Sequence, residues 1–270
     1  MSKPTKSLGQ KDYLDRFYTK ETISKKCISL VKECYNNFSL IIEPSAGKGS
    51  FSNNIENCLA FDIEPASENI KKENWLLINK DLFSKHKDIL VIGNPPFGQQ
   101  NNLAIKFFNE SAKIANVIAF ILPKSFKKDS VKNRLDLNFH LIKEIDLPSN
   151  SFEFESETVD VPCVFQIWEK KEEQREKIKL PTKTEYFSFT SKDDSEIRIQ
   201  RVGGTAGKAS LDLNRAESSN YFIKNNTKMT NEEFVNFVNS LKFPTIEFTV
   251  GPKSLSKGEL ISIFEENIES

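Results

Sequence analysis

Apolar and polar positions change period several times along this chain, and the changes mark out its elements. After Tyr13, Leu14 and Phe17, the residues Ile23, Cys27, Leu30, Val31 and Cys34 recur at helical spacing, predicting an amphipathic helix with Thr19 or Thr22 as its cap. Short unbroken apolar runs follow at Leu40 to Ile42, Cys58 to Phe61, Trp75 to Ile78, Ile89 to Ile92 and Val117 to Leu122. Runs this short, bounded by turn residues, read as strands buried on both faces. Between the last two, Leu103, Phe107, Phe108, Ala112 and Ala115 mark a helix. Leu141 to Leu147 and Val161 to Trp168 give two further strands, separated by the polar loop Pro148 to Asp160. The pattern predicts an α/β protein.

Two stretches fall outside this pattern. Residues 1 to 12 are polar and without periodicity, and are expected to form a flexible arm. The charge-rich run Lys170 to Lys179 reads as a boundary and predicts a linker at 170–180. Beyond it, Tyr186 to Phe189 and Ile197 to Val202 read as strands, and Gly203, Gly204 and Gly207 fit a phosphate-approaching loop and a tight turn equally well. The expected organisation is an arm at 1–12, a main domain at 13–169, the linker, and a smaller α+β accessory region at 181–270.

Composition narrows the picture only slightly. Of 270 residues, 38% are hydrophobic and 28% charged, enough for a folded core. No apolar run approaches the roughly 18 residues that span a bilayer, and Met1 to Gln10 lacks a signal-peptide apolar segment, so an intracellular protein with no membrane partner is expected. Lys and Arg together number 38, as do Asp and Glu, so any nucleic-acid contact must come from local patches. With 2 His and with Cys27, Cys34, Cys58 and Cys163 in no paired spacing, no metal site is expected. Cys27 and Cys34 are expected to be buried small apolar groups.

The chemistry concentrates at strand ends. Ile89 to Ile92 runs into Gly93-Asn94-Pro95-Pro96-Phe97, and the two prolines must end the strand because neither can donate to a sheet ladder. Asn94 is thereby presented in a stiff turn at a strand's carboxyl end, where open α/β sheets bind ligands. Upstream, Glu43-Pro44-Ser45-Ala46-Gly47-Lys48-Gly49-Ser50-Phe51 is a glycine turn leading into an expected helix whose apolar start is Phe51 and Ile55. A phosphate-binding P-loop is excluded by its spacing, and the dinucleotide fingerprint lacks its third small residue.

Asn-Pro-Pro-Phe resembles the catalytic motif of the class I S-adenosylmethionine-dependent amino-methyltransferases, above all the N6-adenine-specific ones. The Glu-Pro-x-x-Gly-x-Gly-x-Phe loop is similar to the loop that holds the cofactor's amino-acid part in that family. The resemblance covers about residues 15 to 168 and implies a Rossmann-like methyltransferase fold: a mostly parallel seven-stranded sheet ending in an antiparallel hairpin. It implies S-adenosyl-L-methionine as cofactor, with Glu43, Pro44, Ala46, Gly47, Gly49 and Phe51 at its methionine end. Tyr18 and Thr19 are candidates to close over that end, or else belong to a helix docked on the sheet. Asp62, with Ile63 beside it, would receive the ribose hydroxyls, Glu64 being second choice. Asp81 would accept from the cofactor's adenine, flanked by Leu82 and Phe83. Asn94, Pro95, Pro96 and Phe97 would form the catalytic turn, Asn94 also meeting the cofactor.

The chemistry of an adenine amino group explains the motif. Its lone pair is delocalised into the ring, so the Asn94 side-chain carbonyl and the Pro95 backbone carbonyl would accept its two hydrogens and leave the lone pair free. Phe97 would stack on the base once it leaves its duplex or loop. Lys124, Ser125, Lys127 and Lys128 begin a basic cluster at the next strand end and suit a phosphate-gripping edge, although a solvated helix also explains them. Arg198, Arg201 and Lys208 are further candidate phosphate contacts, and Phe152 and Phe154 either touch the base or pack in the core. The expected partner is nucleic acid, DNA before RNA. Alternatives are an RNA adenine enzyme, a protein glutamine methyltransferase, which Phe97 in place of Tyr counts against, and a non-catalytic partner of a methyltransferase.

Overall fold

The computed structural model describes residues 17–154 and 157–268; the expected arm at 1–12 lies outside them. The chain divides into two compact units, Met1–Lys177 and Ile178–Ser270.

In the first unit, strand β1 (Tyr18–Thr19) leads directly into helix α1 (Glu21–Cys34), whose buried face is Ile23, Ser24, Cys27, Ile28 and Val31. Burial pushes the Cys27 thiol up to about 12, so it behaves as an apolar group. Cys34 is exposed in the last turn instead of buried, and the cap position is Lys20 rather than a threonine. Strands β2 (Leu40–Glu43), β3 (Cys58–Asp62), β4 (Lys71–Lys72) and β5 (Ile89–Gly93) come next. Helix α2 (Asn102–Ala112) buries Ala104, Ile105, Phe107 and Phe108 and precedes β6 (Val117–Pro123), buried along its whole length. A short helix α3 (Asp129–Lys132) and strands β7 (Phe139–Asp146), β8 (Phe152–Phe154), β9 (Glu157–Val159) and β10 (Cys163–Lys170) complete the unit.

Seven strands form one sheet in the order β4-β3-β2-β5-β6-β10-β7. β4, β3, β2, β5 and β6 pair in parallel, and β10 runs antiparallel to both β6 and β7. This is a Rossmann-like, mostly parallel seven-stranded sheet with a closing antiparallel hairpin, as the resemblance implied. Strand order reverses between β2 and β5, so their carboxyl ends at Glu43 and Gly93 open a crevice where ligands of such sheets bind. The polar loop after β7 folds into β8 and β9, and β8 pairs antiparallel with β1 through Tyr18–Glu153 and Thr19–Phe152.

Two expected elements form differently. After the glycine turn there is only a single 3-10 turn, Ser52–Asn54, because Ser and Asn side chains compete for the backbone and β3 already begins at Cys58. Trp75 to Ile78 is not a strand: Asn74 accepts the amides of Leu76, Leu77 and Ile78, so these donors are spent locally. Trp75 is buried against Phe61 and Phe83, with ring centroids 5.8 and 6.0 Å away, while Leu77 is 81% exposed. The edge strand of the sheet is instead Lys71–Lys72.

In the second unit, β11 (Phe187–Phe189), β12 (Ile197–Gln200), β13 (Ala209–Ser210) and β14 (Asn220–Asn225) form an antiparallel sheet in the order β11-β14-β12-β13. Helices α4 (Asn231–Ser240) and α5 (Lys257–Ile268) share its core, where Phe187, Phe234 and Phe264 pack with centroids 5.0 to 5.9 Å apart. A capping box between Thr230 and Glu233 starts α4.

Candidate active site

A cavity of about 210 Å³ lies at the strand-order reversal. Its floor is the glycine turn after β2. Glu43 is 1% exposed, and its carboxylate accepts from the amides of Phe51 at 3.3 Å and Ser52 at 2.8 Å. Burial nevertheless dominates and pushes its carboxyl up to about 7. The turn is tied to β3 as well: Ala46 donates to the Phe61 carbonyl at 2.9 Å, and Gly47 donates to Asp62 Oδ2 at 2.7 Å. The other carboxylate oxygen of Asp62 accepts from the Glu64 amide at 2.8 Å, so Asp62 is locked at the rim with lone pairs left over.

Gly47 has φ +56°, and a Cβ there would stand 2.9 Å from the Tyr18 ring, so the aromatic of β1 lies directly on the turn. The Lys48 ammonium stands over the same ring, 4.4 Å from its centroid. Ser50 Oγ donates to the Thr19 carbonyl at 3.0 Å, tying β1 down a second time.

Across the crevice, β5 delivers Asn94, Pro95, Pro96 and Phe97. Gly93 has φ +157°, and a Cβ there would sit 3.4 Å from the Glu43 side chain. The amide nitrogen of Asn94 donates to the Phe17 carbonyl at 3.0 Å, and Ser45 Oγ donates to the Asn94 carbonyl at 3.3 Å. Asn94 Oδ1 is buried and has no hydrogen-bond partner among the described residues. An unpaired buried carbonyl costs roughly 1–3 kcal/mol, so a position that keeps one is a candidate for ligand contact.

The cavity therefore gathers Tyr18, Thr19, Glu43, Pro44, Ala46, Gly47, Phe51, Asp62, Ile63, Asn94, Pro95, Pro96 and Phe97. Gly49 shapes the turn from outside the lining. Asp81 and Leu82 are not brought in: they lie in a 3-10 turn at Lys80–Phe83, and Leu82 is 68% exposed. The reason is the displaced edge strand. Because β4 ends at Lys72, the wall beside Asp62 is built from Glu73, Asn74, Trp75 and Leu76, the last two of which the apolar pattern assigns to a strand. An acid directly after the Lys71-Lys72 pair was the available signal. Leu103 and Phe107 of α2 also line the cavity.

The basic residues do not join this cavity. Lys127 pairs with Asp146 at 2.8 Å and Glu144 at 3.7 Å, which spends its charge inside the unit and argues against a phosphate grip. Ser125 Oγ accepts from Asn101, the Lys124 amide donates to the Pro162 carbonyl, and Lys128 leads into α3. In the second unit, Arg198 donates to the Asp212 carbonyl and Asn220, Arg201 to the Ser218 carbonyl, and Lys208 to the Asn239 carbonyl. Phe152 is fully buried opposite Thr19, and Phe154 packs 6.3 Å from Phe17. Among the described residues, no group of metal-ligating side chains converges and no helix is long and apolar enough to cross a membrane.

Comparison of the sequence with protein-family models and with curated proteins finds no match. Among solved structures, the chain is similar to a protein from Pyrococcus horikoshii proposed to be an RNA methyltransferase, with 12% identity, 62% of this chain and 92% of that one covered, and a TM-score of 0.47. It is also similar to the modification subunit of a proposed type I restriction enzyme from Vibrio vulnificus, with 16% identity, 57% and 44% covered, and a TM-score of 0.44. A third is the N-methyltransferase NodS from Bradyrhizobium japonicum in complex with S-adenosyl-L-homocysteine, with 10% identity, 56% and 87% covered, and a TM-score of 0.41.

Proposed function

We propose that the cavity binds S-adenosyl-L-methionine and that the protein methylates the exocyclic N6 amino group of adenine in nucleic acid, DNA before RNA. The observation that carries this reading is the buried, unpartnered Oδ1 of Asn94 at the strand-order reversal.

The lining fits the cofactor on two grounds. Among the described residues, its acidic members are Asp62, Glu64 and Glu73, beside the buried Glu43, and it has no Lys, Arg or His. Such a cavity repels a dinucleotide's phosphates and suits a nucleoside that carries positive charge. The glycine turn also carries Gly47 into the lining with its amide tied to Asp62, the carboxylate that would meet the ribose. Glu43 and the Pro44 to Phe51 turn would hold the amino-acid end, Asp62 the ribose, and the Glu73 to Leu76 wall the base. Bound there, the cofactor supplies an electrophilic methyl group.

The acceptor would meet the turn Asn94, Pro95, Pro96 and Phe97, and none of these side chains titrates. A protonated alkyl amine would have to lose a proton before it could attack, whereas an exocyclic amino group attacks as it stands and releases one proton to solvent once methylation has made its nitrogen acidic. Asn94 Oδ1 and the Pro95 carbonyl accept its two hydrogens and hold its lone pair out of conjugation. The Phe97 ring stacks on the base that must leave its helix to arrive. Positioning and hydrogen bonding carry the reaction. A glutamine side-chain amide meets the same requirement of neutrality, and a glutamine-containing peptide added to the acceptors separates the two.

The test is methyl transfer from labelled cofactor to matched single-stranded and duplex DNA and RNA, read by nucleoside mass spectrometry, with Asn94→Ala alongside. N6-methyladenine that disappears in the variant is the expected result. A cofactor-induced rise in melting temperature should disappear in Asp62→Ala, and its absence in the wild type would remove the cofactor assignment.

A further inference from the structure

The turn that follows Phe97 is strained. Gly98 has φ +67°, and a Cβ there would lie 2.7 Å from that of Leu103. Gln100 (φ 51°, ψ 33°) and Asn101 (φ 63°, ψ 11°) then adopt left-handed conformations in succession, which L side chains with a Cβ disfavour. Strain of this kind persists only where surrounding contacts enforce it.

Those contacts come from two segments beyond β6. Arg134, just after α3, donates from Nη1 to the Gln100 carbonyl at 3.3 Å and from Nη2 to Asn102 Oδ1. Asn101 Nδ2 donates to Ser125 Oγ at 2.7 Å. This diverts Asn101 from its expected work: it occupies the cap position of α2, yet its side chain makes no cap bond. The Phe97 carbonyl takes over, accepting from the Leu103 amide at 3.2 Å and the Ala104 amide at 3.3 Å. The first turn of α2 is thus anchored on the backbone of Phe97, and Phe97 lines the cavity.

We propose that Arg134 is a positioning residue for the acceptor: by clamping the strained Gly98 to Asn102 turn, it fixes the Phe97 backbone against α2 and so sets the ring on which the acceptor stacks. The inference rests on the methyltransferase reading for its functional consequence and on the turn geometry for its structural one, and the two are tested separately.

The experiment compares wild type, Arg134→Met, Gln100→Gly and the double variant. The measurements are KM for an adenine-containing oligonucleotide, kcat, cofactor affinity by calorimetry, and hydrogen exchange at the Leu103 and Ala104 amides. Arg134→Met should raise the acceptor KM roughly tenfold while cofactor affinity holds, and the two amides should lose protection. Gln100→Gly alone should leave activity unchanged. In the double variant it should restore most of the lost KM and protection, because glycine adopts the left-handed conformation without enforcement. Failure of this rescue overturns the proposal and assigns the loss to direct contact between the guanidinium and the acceptor. Parallel loss of cofactor affinity and acceptor KM also overturns it, since that marks general loosening of the unit. If wild type methylates no acceptor, the methyltransferase reading falls. Hydrogen exchange then decides the clamp by itself: lost protection that glycine restores supports it, and unchanged protection overturns it.

Discussion

The Asn94 amide nitrogen donates to the Phe17 carbonyl at 3.0 Å, joining residues 77 positions apart and leaving the buried side-chain oxygen without a partner among the described residues. β1, which begins at the next residue, is held by its pairing with β8, so the orientation of the Asn94 amide depends on a strand added from outside the main sheet.

Replacing Asn94 with Ala should separate activity from stability. The variant loses one hydrogen bond but also removes a buried unpaired carbonyl, so unfolding free energy should change by no more than about 1 kcal/mol. Methyl transfer should fall on the order of 10²–10³-fold with cofactor affinity retained. Urea denaturation and kinetics on one preparation check both, and a large stability loss would mark Asn94 as a structural residue.

Gly47→Ala should destabilise the fold by about 1–2 kcal/mol through its left-handed backbone, with more from its clash with the Tyr18 ring. Adding Tyr18→Ala should return the clash contribution and leave the backbone contribution. Equal stability of the single and double variants would show that the ring moves aside freely.

Stability should depend on pH through Glu43, whose ordinary value of 4.5 is pushed up to about 7 by burial. A carboxyl raised in the folded state contributes stability while it is protonated: the contribution is whole below about pH 4.5 and is lost as pH climbs through about 7. Against Glu43→Gln, the wild type should therefore lose up to about 3 kcal/mol across that window. Parallel melting curves from pH 4 to 8 measure it, and a constant gap between the two proteins would contradict it.

Lys80 should support the cavity wall without touching the cavity. Its side chain is 9% exposed, donates to the Trp75 and Ile78 carbonyls, stands 4.2 Å from the Trp75 ring centroid, and lies 4.0 Å from Glu110. Burial lowers its pKa and Glu110 partly opposes that. Lys80→Met orphans both carbonyls and should cost about 1–3 kcal/mol, with weaker cofactor binding as the wall from Glu73 to Leu76 loosens. Unfolding and calorimetry together check this, and unchanged cofactor affinity would confine Lys80 to folding.

Much of the site was legible because its signals are local. The prolines after Gly93 had to end β5 and present Asn94, and the glycines after Glu43 had to make a turn that side chains with a Cβ would obstruct. The parallel sheet followed from apolar runs too short for helices and bounded by turn residues. The edge strand was not legible in this way. Lys71 and Lys72 are exposed and form a strand of only 2 residues, while Trp75 to Ile78 has the apolar look of a strand although Asn74 spends its amides in a turn.

The sequence by itself thus determined which residues stand at strand ends and where the backbone must turn, since both follow from apolar runs and from the conformations open to Gly and Pro. Only the tertiary structure decided that Glu73 to Leu76, rather than Asp81 and Leu82, wall the cavity. It alone tied Asn94 to Phe17 and spent Lys127 on Asp146. Those outcomes depend on strand pairing and on partners distant in the chain, and a side chain's reach across the fold leaves no mark in its immediate sequence.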